Sequence, residues 1–250
     1  MPSFNNGDVE IAYLDQGEGE PIVLVHGFAS TKNVNWIYPA WVSELTKAGR
    51  RVIALDNRGH GESAKLYDPA AYRIPIMAGD VAALMDHLKI ERADIMGYSL
   101  GGRMTAWLAR YQPQRLRSAI FGGIGIGLIE GGGPGENVAD ALEAASIDEV
   151  TDPVGRTFRA FADQTHSDRL ALAACMRGSR GLMTREEAGG IAVPVLIAVG
   201  TMDEIAGSAE ALGNIIPGSQ VLDIPNRDHM RAVGDRVYKS GVLDFLAQRQ

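Results

Sequence analysis

The stretch Asp94–Met104 reads DIMGYSLGGRM, and its character changes at Ser99. Up to that residue, ADIMGYS is a mostly apolar run with no polar face, the pattern of a strand covered on both sides. Past it, LGGRMTAWLARYQPQ reads as a helix that stops near Pro113. Ser99 therefore stands at a strand-to-helix turn, with glycine two residues away on each side. A strained turn of this kind lifts a serine hydroxyl above the end of a sheet. It requires small neighbours, because strand and helix come close there. The simpler alternative is a serine that only caps the helix. Serine at its free pKa is a poor nucleophile, so the choice depends on whether the chain also supplies a base and a group to orient it.

Reading outward, VEIAYLDQG alternates and then turns, as a strand and hairpin do. PIVLVHGF, RVIALD (Arg51–Asp56), RSAIFGG, PVLIAVG (Pro194–Gly200) and SQVLDIP are further strand candidates with the continuous apolar character of buried strands. Between them lie helical patterns. NWIYPAWVSELTKAG ends at Gly49, IMAGDVAALMDHLKI has apolar residues near a 3.6-residue period, and RVYKSGVLDFLAQRQ closes the chain as an amphipathic helix. The alternation predicts an α/β fold: a mostly parallel sheet with helices on both faces. From about Gly125 to Gly190 the rhythm breaks into helical fragments with no buried strand. It opens on the glycine cluster GGIGIGLIEGGGPGEN. This predicts a core of residues 1–124 and 191–250 and a small helical cap insertion over 125–190. The loop around Gly131–Gly135 is expected to be mobile and to gate a pocket.

The chain has 250 residues, of which 22% are charged and 46% hydrophobic, ordinary values for a globular protein. A net charge of −7 without a basic stripe argues against nucleic acid as a partner. Cys175 is the single cysteine, so no intrachain disulfide is possible. The start shows no basic region followed by an apolar run, and no apolar run reaches the length of a membrane span. The expectation is a cytoplasmic protein with no membrane partner. Oligomeric state is not legible.

Two later strand ends supply candidate partners for Ser99. TMDE after PVLIAVG places Asp203 in a strand-end loop, and NRDHM after SQVLDIP places His229 in the next. Asp223, Asp228 and Glu204 are nearby carboxylates, but Asp203 sits where such a loop delivers an acid. Of the other histidines, His26 and His60 belong to separate motifs, His87 to a helix and His166 to the cap. An oxyanion would need two backbone N–H donors. Leu100 supplies one, and the loop after IVLVHG supplies the other through Phe28, with Ala29 as the alternative. Gly27 and Tyr98 beside these loops, and Met202 and Met230 flanking the acid and base, are expected to contact substrate, the methionines as a pocket floor. DNRGHGES (Asp56–Ser63) reads as a tight loop that buttresses its neighbours by charge pairing.

HGF, DNRGHGES, GYSLGG, GTMDE and DHM, in this order, make the chain resemble the α/β-hydrolase superfamily over nearly its whole length, closest to esterase-like serine hydrolases with a compact helical cap. The resemblance implies a triad of Ser99, Asp203 and His229, an acyl-enzyme, a small-molecule ester substrate, and neither cofactor nor metal. Epoxide hydrolases and haloalkane dehalogenases of this fold use aspartate at the nucleophile position, so Ser99 argues against both. GYSLGGR with Arg103 also resembles the menaquinone-pathway synthase that eliminates pyruvate, a lyase whose arginines bind carboxylates. Arg156, Arg159, Arg169 and Arg177 in the cap are further candidates for that task. A C–C bond hydrolase, a perhydrolase and a non-catalytic binder share the same triad.

Overall fold

The computed structural model describes residues 2–249. The chain opens with β1 (Ser3–Asn6), β2 (Val9–Gln16) and β3 (Glu20–Val25), then α1 (Trp41–Lys47) and β4 (Arg50–Leu55). Next come α2 (Ile74–His87), β5 (Ala93–Tyr98), α3 (Leu100–Tyr111) and β6 (Leu116–Gly122). Five helices follow without a strand: α4 (Gly127–Glu130), α5 (Glu136–Glu143), α6 (Pro153–Gln164), α7 (Arg169–Gly178) and α8 (Arg185–Gly189). The chain then returns through β7 (Val195–Gly200), α9 (Ala209–Gly213), β8 (Gln220–Ile224), α10 (His229–Ala232) and α11 (Arg236–Gln248).

The strands form one eight-stranded sheet in the order β1-β2-β4-β3-β5-β6-β7-β8. The pairs from β4 through β8 are parallel, and β1 and β2 are antiparallel. Alternate residues of each strand go to opposite faces. Val23, Val25, Ile53, Leu55 and Ile95 join α2 and α3 in one core. Ile22, Leu24, Val52, Ala54 and Met96 join α1 and α11 in a second. A strand that serves two cores has no polar side, which is why these segments read as unbroken apolar runs.

Two readings need correction. The helix expected across NWIYPAWVSELTKAG is broken: a π-turn over Asn33–Ile37 and a turn at Tyr38–Ala40 precede α1. Pro39 cannot donate the N–H a continuous helix needs, and Ala40 takes a φ of 68°. The strand in SQVLDIP is not buried on both sides. β8 is the sheet's edge, and Val221 is 42% exposed.

A third apolar cluster lies in the helices between β6 and β7. Val138, Leu142, Ala162, Leu172 and Met176 pack together with Ala29, and Phe28 and Phe158 lie against them. These helices thus rest directly on the loop after β3. At the other end of the sheet, the buried Asp94 carboxylate accepts from Arg50, Arg249 and Ser118, with Glu20 as an outer partner of both arginines. Among the described residues no helix is long and apolar enough to cross a membrane.

Candidate active site

Ser99 follows the last residue of β5 at φ 54° and ψ −111°, a backbone state that a residue with a Cβ rarely takes. The turn is tight. A Cβ on Gly97 would lie 2.0 Å from the Gly101 carbonyl oxygen, and one on Gly101 would lie 2.0 Å from that of Val25. Only glycine lets helix α3 start this close to β5 and β3. The Ser99 hydroxyl makes no capping bond to its helix. Instead its Oγ lies 3.0 Å from Nε2 of His229.

His229 opens α10, just past the end of β8, and its Nδ1 lies 2.8 Å from Oδ2 of Asp203. The other carboxylate oxygen, Oδ1, accepts the N–H groups of Ile205 and Ala206, each at 2.9 Å. An ionised carboxylate only accepts, so Nδ1 carries the ring proton and Nε2 presents its lone pair to the serine. The Asp203 side chain is fully buried and that of His229 is nearly so. The competing carboxylates are occupied elsewhere. Asp228 caps α10 through the N–H groups of Met230 and Arg231, while Glu204 and Asp223 are exposed.

The loop after β3 approaches from the opposite side, so that a Cβ on Gly27 would lie 3.4 Å from the Ser99 Cβ. Gly27 donates to Asn35 Oδ1 at 2.8 Å and Ala29 donates to His60 Nε2 at 3.1 Å. Between them, the Phe28 N–H has no acceptor among the described residues, and neither has that of Leu100. The arrangement offers a hydroxyl with a base in reach and two uncommitted N–H groups on the adjoining loops. That set can form and stabilise a tetrahedral adduct at a carbonyl carbon.

The four expected substrate contacts fare unevenly. Gly27 is buried against Ser99. Tyr98 is buried behind the histidine, its hydroxyl donating to the His229 carbonyl at 2.6 Å, so it steadies the start of α10 and leaves no exposed face for a ligand. Burial holds its phenol well above the usual tyrosine range. Met202 and Met230 do not form a floor: they are 63% and 60% exposed, because Met202 sits on the turn beyond β7 and Met230 on the outer side of the short helix α10.

DNRGHGES packs under this assembly. Asp56 accepts the Lys32 N–H, the Lys32 ammonium and the Glu62 N–H. Arg58 pairs in two bonds with the buried Asp80, at 2.7 Å each. His60 is buried, and burial followed by the nearby His26 pushes its pKa down to about 3. Asn35 was not foreseen as a partner of the loop. It lies in the segment read as helix, and nothing local marks it. His87 stacks on Phe4 at the far edge of the sheet. The arginines of the helices between β6 and β7 are committed: Arg177 to Glu136, Asp140 and Glu143, Arg159 and Arg169 to Asp163 and the end of α5, and Arg156 to Asp148 and the Ile147 carbonyl. Arg103 differs. Its Nη2 donates to the Gly127 carbonyl, but its buried Nη1 has no partner. Burial lowers its pKa from the usual arginine value.

A sequence profile of the α/β hydrolase fold matches residues 20–129. A hydrolase structure from Pseudomonas aeruginosa superposes with a TM-score of 0.82 at 25% identity, covering 98% of this chain and 97% of that one. An enol-lactonase from Burkholderia xenovorans gives 0.78 at 26% identity, over 99% and 100%. The chain has the α/β-hydrolase fold. Among curated relatives, a putative 2-succinyl-6-hydroxy-2,4-cyclohexadiene-1-carboxylate synthase from Bacillus subtilis is 25% identical over 95% of both chains. Three others, 42%, 35% and 34% identical, are matched over only 28%, 41% and 43% of their length, so the chain spans less than half of each.

Proposed function

We propose that this protein is a serine hydrolase that cleaves small or medium carboxylic esters through an acyl-enzyme on Ser99. One observation carries the reading: Ser99 Oγ, both ring nitrogens of His229 and the Asp203 carboxylate lie in one hydrogen-bonded line, at 3.0 and 2.8 Å. In this reading His229 Nε2 takes the Ser99 proton as Oγ attacks the ester carbonyl. The Phe28 and Leu100 N–H groups receive the developing oxyanion. His229 then protonates the leaving alkoxide. Water, giving its proton to the same nitrogen, attacks the acyl-enzyme and releases the acid. Asp203 holds the ring in the productive tautomer and offsets the charge of the imidazolium.

Residues 125–190 serve as the cap in this scheme, which is supported by the packing of their apolar cluster on Ala29 and Phe28. The enol-lactonase neighbour acts on a cyclic ester by its name, which fits the same bond class. The expected place of action is the cytoplasm, and the expected partner is a small molecule only.

The unpartnered Nη1 of Arg103, one helical turn after Ser99, favours a second reading. There the substrate carries a carboxylate, as the lyase and C–C hydrolase alternatives require. The full-length match to the synthase from Bacillus subtilis supports it.

The test is hydrolysis of neutral p-nitrophenyl esters of increasing acyl length, and of p-nitrophenyl hemisuccinate, by the protein and by Ser99→Ala. Turnover of the neutral esters that vanishes in Ser99→Ala is the expected result. Activity that survives in Ser99→Ala overturns the nucleophile. A marked preference for the hemisuccinate, lost in Arg103→Met, moves the conclusion to the second reading.

A further inference from the structure

We propose that His60 is a positioning residue for the oxyanion-binding loop: by accepting the Ala29 N–H it leaves the Phe28 N–H as that loop's donor. The inference rests on the Ser99 reading above and adds a residue from a different motif to it.

The loop after β3 is pinned on both sides of Phe28. On one side Gly27 N–H is held by Asn35 Oδ1 at 2.8 Å, and on the other Ala29 N–H is held by His60 Nε2 at 3.1 Å. The residue between them keeps a free N–H. Ala29 is a non-glycine residue at φ 55°, so its backbone does not settle there unaided. Its methyl group is 1% exposed and belongs to the apolar cluster of α5, α6 and α7, which explains why glycine does not occupy this position. The second restraint is the bond to His60.

The imidazole is mounted so that it can only accept at that nitrogen. Its Nδ1 lies 2.9 Å from the Arg58 carbonyl, which cannot donate, so Nδ1 carries the hydrogen and Nε2 the lone pair. Arg58 is itself fixed by its two bonds to Asp80. Beside it, Gly59 gives way to Tyr72, whose hydroxyl oxygen would lie 2.5 Å from a Cβ at that position. Burial keeps the ring neutral throughout the range in which the enzyme would work. A protonated ring would set an N–H against the Ala29 N–H and release the loop. The Phe28 ring closes the arrangement, edge-on to His60 at 5.9 Å and tilted against Phe158 of α6 at 5.7 Å. The free donor is thus held from below by the RGHG loop and from above by the helices after β6.

The experiment compares His60→Leu and His60→Gln with the wild type on p-nitrophenyl butyrate, counting active sites with diethyl p-nitrophenyl phosphate. Leucine fills the space and removes the acceptor. Glutamine can present an amide oxygen near the place of Nε2. Per titrated site, kcat of His60→Leu is expected to fall about 10- to 100-fold, since a misplaced donor costs part of what a deleted one does. KM should change little, and phosphorylation by the organophosphate should slow by a similar factor, because both reactions build charge on the oxygen the loop receives. His60→Gln should recover most of the loss. A kcat per site equal to wild type in His60→Leu, or a loss in KM alone, overturns the inference. So does equal damage in both variants. Ser99→Ala is run alongside: if it still turns over, the parent reading fails, whereas a dead Ser99→Ala with a fully active His60→Leu sinks the positioning role alone. If His60→Leu does not fold, the wild type decides by nitrogen NMR. A through-bond coupling between the Ala29 amide and an unprotonated Nε2 is expected, and a ring protonated at Nε2 overturns the proposal.

Discussion

Asp94 and Asp203 lie at opposite ends of the same parallel sheet, and the side chains of both are shut off from solvent. Their partners differ in kind. Asp94 at the start of β5 is held by Arg50, Arg249 and the Ser118 hydroxyl. Two permanent cations leave that carboxylate with nothing to exchange. Asp203 beyond β7 is held by two backbone N–H groups and by one imidazole. The backbone donors stabilise its charge without cancelling it, and the third partner can take up a proton from elsewhere. The same side chain at the same depth is structural where its charged partners are permanent cations and, in the proposed mechanism, catalytic where its side-chain partner is an imidazole. Burial and charge alone do not separate the two cases.

The contrast breaks most visibly at Asp203. Asp203→Asn should lower kcat on p-nitrophenyl esters by roughly 10⁴-fold, because the amide lets the ring hold the wrong tautomer. A loss of less than tenfold would mean that the carboxylate does not orient the base. Asp94→Asn should do the reverse. It leaves kcat near wild type and costs about 3–5 kcal/mol of unfolding free energy, since Arg50 and Arg249 lose a buried counter-charge. Urea denaturation read beside the ester assay separates the two variants, and equal activity losses would erase the distinction drawn here.

A smaller effect comes from acid. His60 titrates near 3 in the folded chain against an ordinary 6.5, and it faces His26, Asp56 and Lys65 as well as the Arg58 carbonyl. Between those two pH values the unfolded chain binds a proton that the folded chain refuses. Stability is therefore fully present above pH 6.5 and falls as the pH is lowered toward 3, by about 1.4 kcal/mol per unit from this group. Unfolding free energy against pH should lose that slope in His60→Gln. The smallest change belongs to Glu20, the half-exposed outer partner of the arginines at Asp94. Glu20→Gln should cost less than about 1 kcal/mol, since solvent already screens that pair.

The sheet and the Ser99 turn were legible because they rest on local physics. Strands with cores on both faces leave apolar runs, and a sharp strand-to-helix turn requires glycine at fixed offsets, as Gly97 and Gly101 bear out. The positions of Asp203 and His229 could be read from the strand ends that carry them. What escaped was whatever depends on contacts distant in sequence. Asn35 bonds Gly27 from inside a segment that scans as one helix, although Pro39 in the same string shows where that helix must break. Tyr98 looks like a pocket residue beside a nucleophile, yet its hydroxyl is spent on a carbonyl 131 residues away. Met202 and Met230 are apolar and adjacent to Asp203 and His229, but adjacency does not say which way a turn or a short helix faces. The lone Nη1 of Arg103 has no signature at all, since an arginine looks the same in sequence whether or not a carboxylate meets it.

The backbone of Ser99 has a consequence for how this chain would change under mutation. The hydroxyl is held at φ 54°, a conformation that costs a residue with a Cβ about 1–3 kcal/mol and glycine far less. Ser99→Gly should therefore be inactive and at the same time harder to unfold than Ser99→Ala. A copy of the chain selected only to stay folded would find one of its readiest improvements at the residue proposed to carry turnover. For such a copy, loss of function is a downhill step, and the serine persists only while something selects for the reaction.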